Sequence, residues 1–304
     1  MDKNTDIFSG LEKLGFENVK NINLYEKKDA KTNDKHIDKK DTEKIDETLY
    51  LYDKKVVCPV CTNEFTVRTV KTDGYRMKGK TSDFYVDYSL INPYFYDVWL
   101  CNVCGYASMK ADFSKLRSFE RESVLKNITP RWHGRKYPEV YDINIAIERY
   151  KLSLLNFSVI GSKSSKKAMN CLKLAWLYRE LGDEQNEKTF REQSLIGFKD
   201  AYFNEDFPIY GMNRFKVLYL IGELNRHLGN YEEALRYLSD VITSPSVDRK
   251  LKDLAIDQKD LIRETLKKIE EENNENLKEE SEEDEIIDDK KENLFSRFFK
   301  SKKT

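Results

Sequence analysis

Hydrophobic positions change their period part-way along this chain. In the first half, Phe65, Val67 and Thr69 alternate with other residues, and Phe84-Tyr85-Val86 and Tyr94 to Leu100 are short aromatic and β-branched runs. A period of two on such residues predicts short strands. From Asp142 onward the period is helical. Ile143, Ile147, Tyr150, Leu154 and Phe157 step by three and four; Val217, Leu220, Ile221, Leu224 and Leu228 make a second stripe, and Tyr231, Ala234, Leu235, Leu238 and Ile242 a third. Breaks at Leu181-Gly182-Asp183 and Leu228-Gly229-Asn230 cut this part into paired amphipathic helices, and their glycines are 47 residues apart. The fold class expected is therefore α+β, mostly α.

The second helical unit, Ile221-Gly222 followed by Leu228 to Ala234 and then Leu238, resembles a tetratricopeptide repeat, with small residues where the two helices touch. The first, Lys163 to Leu181 with Glu184 to Asn204, has the helix lengths but carries Glu187 where the repeat wants a small contact residue. Pro208 and Gly211 interrupt before the next hairpin. A stack of such hairpins offers a concave surface that in repeat proteins holds a peptide or protein partner. The plainer alternative is a helical bundle that buries only its own face.

Charge divides the chain further. The 304 residues include 53 Lys plus Arg and 54 Asp plus Glu, and 35% are charged, well above the usual quarter or so, so much of the length belongs to solvated faces, linkers or tails. Residues 26–48 hold seven Lys, eight acidic residues and only three apolar ones, too few for a core. Residues 270–292 carry 13 acidic and three basic residues, whereas 293–304 carry four basic and no acidic ones. The division expected is an amphipathic N-terminal segment (1–25, with Ile7, Phe8, Leu11, Leu14, Phe16 and Val19), a disordered charged linker (26–48), a cysteine-bearing module (49–141), a helical domain (142–269), a disordered acidic spacer (270–292) and a basic amphipathic tail (293–304). The first ten residues lack the basic start and apolar block of a secretory signal, and no run approaches the roughly 20 apolar residues of a spanning helix. The compartment expected is the cytosol.

Candidate chemistry rests on the cysteines. Cys58-Pro59-Val60-Cys61 and Cys101-Asn102-Val103-Cys104 are two C-x-x-C pairs separated by 39 residues. Each can form a turn with two thiolates on one side, and two such turns supply the four soft ligands of a tetrahedral site, which Zn²⁺ favours. Four sulfurs fill the shell and leave no position for substrate, so a structural role is expected rather than a catalytic or redox one. Iron suits the same cage, and a disulfide is disfavoured in a reducing cytosol. Cys171 falls in a helical stripe and reads as packing. Short strands around such turns predict a zinc-ribbon-like module that helical hairpins follow.

Other motifs weigh less. Gly74 to Thr81 matches the phosphate-loop pattern G-x-x-x-x-G-K-[ST], but an extended segment rather than a helix follows it, so nucleotide binding is not expected. Arg68, Lys71, Arg76, Lys78 and Lys80 lie among tyrosines, which is compatible with single-stranded nucleic acid; the alternative is a solvated basic loop. His36, His133 and His227 share no turn, and no nucleophile and base share a motif, so no enzyme is expected. In the tail, Leu294, Phe295, Phe298 and Phe299 fall within an arc of about 140° on a helix, with Arg297 and Lys300 outside it. Such a tip fits an anionic membrane surface, or else docks on protein.

The order Cys58-Pro59-Val60-Cys61, Asp83-Phe84, Tyr88, Asn92-Pro93, Tyr96-Asp97-Val98-Trp99 and Cys101-Asn102-Val103-Cys104-Gly105-Tyr106-Ala107 resembles a bacterial family, domain of unknown function 2225. The resemblance covers roughly residues 49–270 and implies a four-cysteine knuckle module followed by tetratricopeptide-like helices; it implies a metal and no activity. That family usually begins its second knuckle with Cys-Pro, whereas this chain has Cys101-Asn102. The function expected is a non-enzymatic cytosolic adaptor with a structural zinc and a helical partner-binding surface, peripherally attached to the membrane through its tail; the runner-up is a zinc-ribbon protein that binds RNA or single-stranded nucleic acid.

Overall fold

The alternating segments form strands. The computed structural model describes residues 7–16, 24 and 46–273. β1 (Leu51–Val57) and β2 (Glu64–Val70) pair antiparallel, from Leu51 opposite Val70 to Val57 opposite Glu64. β3 (Met77–Lys80) pairs with β4 (Val86–Tyr88), and β5 (Val98–Leu100) with β6 (Ala107–Met109). The three hairpins are separate two-stranded sheets. The aromatic runs yield shorter strands than their composition predicts. Phe84 turns at φ +70° and lays its ring 5.4 Å from Tyr219, while the Asn92 side chain accepts from the Tyr94 amide and caps a 3-10 turn over Pro93–Tyr96. A cap and a long-range contact outrank β propensity at both places. The phosphate-loop match runs from the end of a 3-10 turn at Gly74 through β3 to Thr81, with no helix at its end.

Helices follow the 3.6-residue stripes: α2 (Ile143–Val159), α3 (Ser164–Leu181), α4 (Glu184–Asn204), α5 (Arg214–His227) and α6 (Tyr231–Thr243), then α7 over residues 249–273. Side-chain caps start four of them, from Asp142 to the Ile145 amide, Asp183 to Asn186, Asn213 to Lys216 and Asp248 to Leu251. Gly222 lets α5 and α6 approach, since a Cβ there would meet Leu238 Cγ at 3.0 Å. Glu187, expected to disturb the first hairpin, is accommodated by an ion pair with Arg191 one turn on. A further helix, α1 (Ser118–Asn127), carries charged residues around most of its circumference and buries only Glu120 and Val124, so it has no stripe for sequence reading to detect. Helix α7 enters the acidic stretch expected to be disordered, as far as residue 273. The rest of that spacer, most of the 26–48 linker and the 293–304 tail lie outside the described residues.

A main hydrophobic core joins most of this, and a smaller second cluster gathers Leu51, Val70, Ile91, Tyr96 and Tyr141. The main core runs from Phe8, Leu11, Leu14 and Phe16 through the cysteines and α2 to Ala255 and Ile262 of α7. Polar anchors repeat the connection along α3. Asp83 accepts from Arg179 at 2.8 Å and from the Trp176 indole at 3.0 Å; Asp97 accepts from Lys173 at 2.6 Å and from the Tyr150 hydroxyl at 3.1 Å. Asp112 pairs with Lys166 at 3.4 Å and accepts from the Tyr210 hydroxyl. Each aspartate from the strand-bearing part thus meets one cation of α3 and one aromatic donor, so its charge is neutralised and a further hydrogen bond supports it. Ser82, beside Asp83, donates to buried Glu223 of α5, which also holds Arg226 and His227.

Asp83 is fully buried. Burial pushes its carboxyl up, but the Arg179 guanidinium overcomes that and holds it at about 2. Because the folded value lies below the unfolded one, the stability this group lends is complete above about pH 4 and is lost as pH falls toward 2. Asp83→Asn should cost about 3 kcal/mol in urea melts near neutral pH. The gap between parent and variant should close as pH drops below about 4; a gap independent of pH would mean that the Arg179 pair is not its source.

Candidate metal centre

Two turns of the same build carry the cysteines. In the first, at the end of the β1–β2 hairpin, the Cys58 amide donates to Asn63 O at 3.0 Å and the Thr62 amide to Cys58 O at 3.0 Å. In the second, between β5 and β6, the Cys101 amide donates to Tyr106 O at 2.9 Å and the Gly105 amide to Cys101 O at 2.9 Å. Both turns close through a residue of positive φ directly after the second cysteine, Thr62 at +61° and Gly105 at +74°. The hairpins face each other across their sulfurs. Cys58 Sγ lies 3.6 Å from Cys104 Sγ, Cys61 Sγ lies 3.6 Å from Cys101 Sγ, and all four atoms fall within 4.8 Å of one another.

These distances suit one ion. A tetrahedron with metal–sulfur bonds of about 2.3 Å has edges of about 3.8 Å, whereas a disulfide brings its sulfurs to about 2.05 Å; all five cysteines are free thiols. Cys58, Cys101 and Cys104 are buried and Cys61 is partly so. The Val60 amide lies 3.4 Å from Cys58 Sγ, a donor that favours the thiolate. Hydrogen bonding to Cys101, together with burial, pushes the Cys58 and Cys104 thiols up, and the same hydrogen bonds push Cys101 down, so the sulfurs share protons among themselves; a bound cation would displace those protons. Cys171 stands apart, fully buried in α3, where burial pushes its thiol up and leaves it inert. The four cysteines could hold a metal ion, and they are the residue group of this kind among the described residues.

Neighbouring side chains hold the turns by their carbonyls. Arg121 of α1 donates to Val60 O at 2.7 Å, Trp132 Nε1 to Asn102 O at 2.9 Å, and Thr129 Oγ1 to Cys104 O at 3.0 Å. Asn156 of α2 reaches Gly105 O at 3.3 Å. Asn102, where a proline is usual, accepts the Arg135 amide on its side-chain oxygen at 2.7 Å, so the departure leaves the turn intact and adds an anchor. Phe16 sits 6.4 Å from Trp132, which brings the N-terminal segment over the second turn. None of these supports was legible in the sequence, because each depends on a contact at least 25 residues away.

Other candidates disperse. His133 and His227 lie in different parts of the fold, and His227 is engaged by Glu223 on its own helix at 3.1 Å; His36 falls outside the described residues. Among the basic loop residues, Arg68 pairs with Asp53 and Glu139, Lys71 donates to Leu49 O, Lys78 pairs with Asp87, and Lys80 lies over Phe84. The tail candidates Leu294, Phe295, Arg297, Phe298, Phe299 and Lys300 lie outside the described residues. No described helix is long and apolar enough to cross a membrane.

A small sheet-and-helix protein built around a four-cysteine cluster is the class that these observations define. Comparison with family models narrows it: residues 51–262 match the family described as an uncharacterized protein conserved in bacteria (DUF2225), and the chain belongs to that family. Neither the curated proteins nor the solved structures contain a match.

Trp132 restricts the second turn. A Cβ on Gly105 would lie 2.7 Å from Trp132 Cγ, on a backbone that disfavours any side chain. Gly105→Ala should cost about 2 kcal/mol and loosen the centre, whereas Gly79→Ala, which meets nothing within 4 Å, should stay within about 0.5 kcal/mol of the parent. Thermal melts of both variants, with and without a chelator, check this.

Proposed function

We propose that the four cysteines hold a structural zinc and that the chain is a non-enzymatic interaction protein of the cytosol. The observation that carries the reading is the convergence of four sulfurs within 4.8 Å. Four thiolates complete a tetrahedral shell and leave no open position at which a metal could activate water or substrate. Zinc would neutralise the thiolates and tie the β1–β2 hairpin to the β5–β6 hairpin, two small elements with little core of their own. A reducing compartment keeps the thiolates available, which supports the cytosol. The hairpins then form a zinc-ribbon-like support for helices packed in the manner of tetratricopeptide repeats, with Gly222 of α5 at the close contact with Leu238 of α6.

Interaction is favoured over nucleic-acid binding because the loop cation Arg68 already faces two carboxylates, Asp53 and Glu139, and phosphate would have to displace them. The docked 81–85 segment places Asp83 and Phe84 on α3 and α5, which shifts partner binding toward the rest of the helical surface. The basic tail is the proposed contact with anionic lipid, by aromatic insertion and cation–phosphate pairing.

Elemental analysis of the purified chain should give about one zinc per chain. Cys58→Ser should lose the metal and lower the melting temperature by about 10 °C or more; a metal-free protein with the same melt removes the zinc reading, and iron in its place would redirect it. Removal of residues 293–304 should abolish sedimentation with phosphatidylserine vesicles, and undiminished sedimentation rules out the lipid contact. Proximity labelling in cells should mark recurrent protein neighbours whose association survives raised salt, in contrast to the steep weakening expected of phosphate contacts.

A further inference from the structure

The N-terminal segment sits on the body as a peptide ligand sits on a receptor. Phe8, Leu11, Leu14 and Phe16, spaced three, three and two apart, are buried, whereas Ser9, Gly10, Glu12 and Lys13 between them are exposed. Among the described residues, the backbone–backbone hydrogen bonds of the segment stay inside it: the Leu11 amide donates to Phe8 O, the Leu14 and Phe16 amides to Leu11 O, and the Gly15 amide to Glu12 O. The body grips it by side chains instead. Lys151 of α2 donates to Ser9 O at 2.8 Å, Lys167 of α3 donates to Leu24 O at 2.6 Å, and the Phe16 ring lies 6.4 Å from Trp132. Main-chain carbonyls are the same in every sequence, so the apolar anchors supply the selectivity.

One position adds a stricter demand. Gly15 takes φ +92° where the segment crosses the 129–135 loop, and a Cβ there would lie 1.9 Å from Arg131 O and 2.9 Å from His133 Cε1. A backbone carbonyl cannot swing aside as the end of a long side chain can, so the crossing admits glycine alone. The groove between this loop, α2 and α3 therefore reads a pattern: an aromatic, a leucine three residues on, a second leucine three further, then glycine and an aromatic. Residues 7–24 also lie outside the 51–262 span of the family match, and the 26–48 stretch behind them holds only three apolar residues. The segment is thus joined to the body by its anchors and a polar tether.

We infer that this groove is a peptide-docking site, occupied from within the chain by residues 7–24 and opened to a partner protein whose segment carries the same aromatic–leucine–leucine–glycine–aromatic spacing. The segment seated in it supplies the chemistry of that partner. Tethering gives the chain's own segment an effective concentration on the order of millimolar, so a partner enters only when it is abundant or anchors better. The covered state is the resting one. This assignment rests on the reading of the chain as an interaction protein and gives that reading a partner chemistry.

A protease site inserted within residues 30–44 of the full chain allows the segment to be cut from the body after folding, with every contact still present. A labelled synthetic peptide of residues 5–25 should displace the cut segment and bind the body about 100-fold more tightly than it binds the uncut chain, with metal content and melt unchanged. A second peptide, which keeps Phe8, Leu11, Leu14, Gly15 and Phe16 and has serine elsewhere, should displace it within about tenfold of the first. The Gly15→Ala form of the first peptide should bind at least about tenfold more weakly than its parent. A cut segment that no peptide displaces, or loss of metal and melt when it leaves, overturns the proposal by making the segment a fixed part of the core. Equal binding of the Gly15→Ala peptide overturns it as well. Failure of the serine peptide, together with dimers of the uncut chain on size exclusion, overturns the partner assignment and gives the groove to a second copy. Recurrent neighbours in proximity labelling would leave the interaction reading standing in any of those cases, because that readout does not depend on this groove.

Discussion

Three aspartates against three cations on a single helix fix how the two halves of this protein meet. Asp112, Asp97 and Asp83 come from separate places in the strand-bearing part, and Lys166, Lys173 and Arg179 receive them in order along α3. Isolated buried charges would be costly, and a pair that lacked further hydrogen bonds would scarcely offset its own desolvation. The second donor on each carboxylate, from Tyr210, Trp176 or Tyr150, changes that balance. Direction matters as much as energy. Apolar packing alone would let the hairpins slide on the helix, whereas three charged contacts at set intervals admit one register.

That register places the cysteines. With α2 packed against β5 and β6, Asn156 reaches the second turn, while α1 and the 129–135 loop bring Arg121, Thr129 and Trp132 to the carbonyls of both turns. The sulfurs themselves supply only the innermost layer of the centre. Their positions are over-determined by backbone carbonyls that are each held from another element, which is the arrangement that keeps soft ligands pre-set for an ion. The N-terminal segment adds to the same assembly through Phe16 against Trp132 and through the Lys151 ammonium on Ser9 O at 2.8 Å.

The helical hairpins have a face that the 81–85 segment covers from within the chain. Phe84 rests on Tyr219, and Ser82 and Asp83 engage α5 and α3. That face is committed to contacts within the chain, and the cleft that Tyr85, Trp176 and Arg179 line lies at the margin of the 81–85 segment. Trp176 and Arg179 anchor Asp83 on one side and line the cleft on the other.

How much of this was legible beforehand follows from the range of each interaction. Periodicity in Ile143 to Phe157 and Val217 to Leu228 announced α2 and α5, because burying one face of a helix is a local pattern; the C-x-x-C spacing announced two metal-type turns, because ligand geometry within a turn is local as well. Helix α1 escaped notice since it buries too little to leave a stripe, and Phe84 and Pro93–Tyr96 left the extended state through contacts and caps that outweigh aromatic β preference. The sequence by itself determined the helices with a buried stripe, the charge segregation and the thiol pairs. Only the tertiary structure decided that those pairs converge, that Asp83, Asp97 and Asp112 face α3, and that the Tyr85–Trp176 cleft exists, because all three depend on side chains brought together across distances in the chain over which no local pattern carries information.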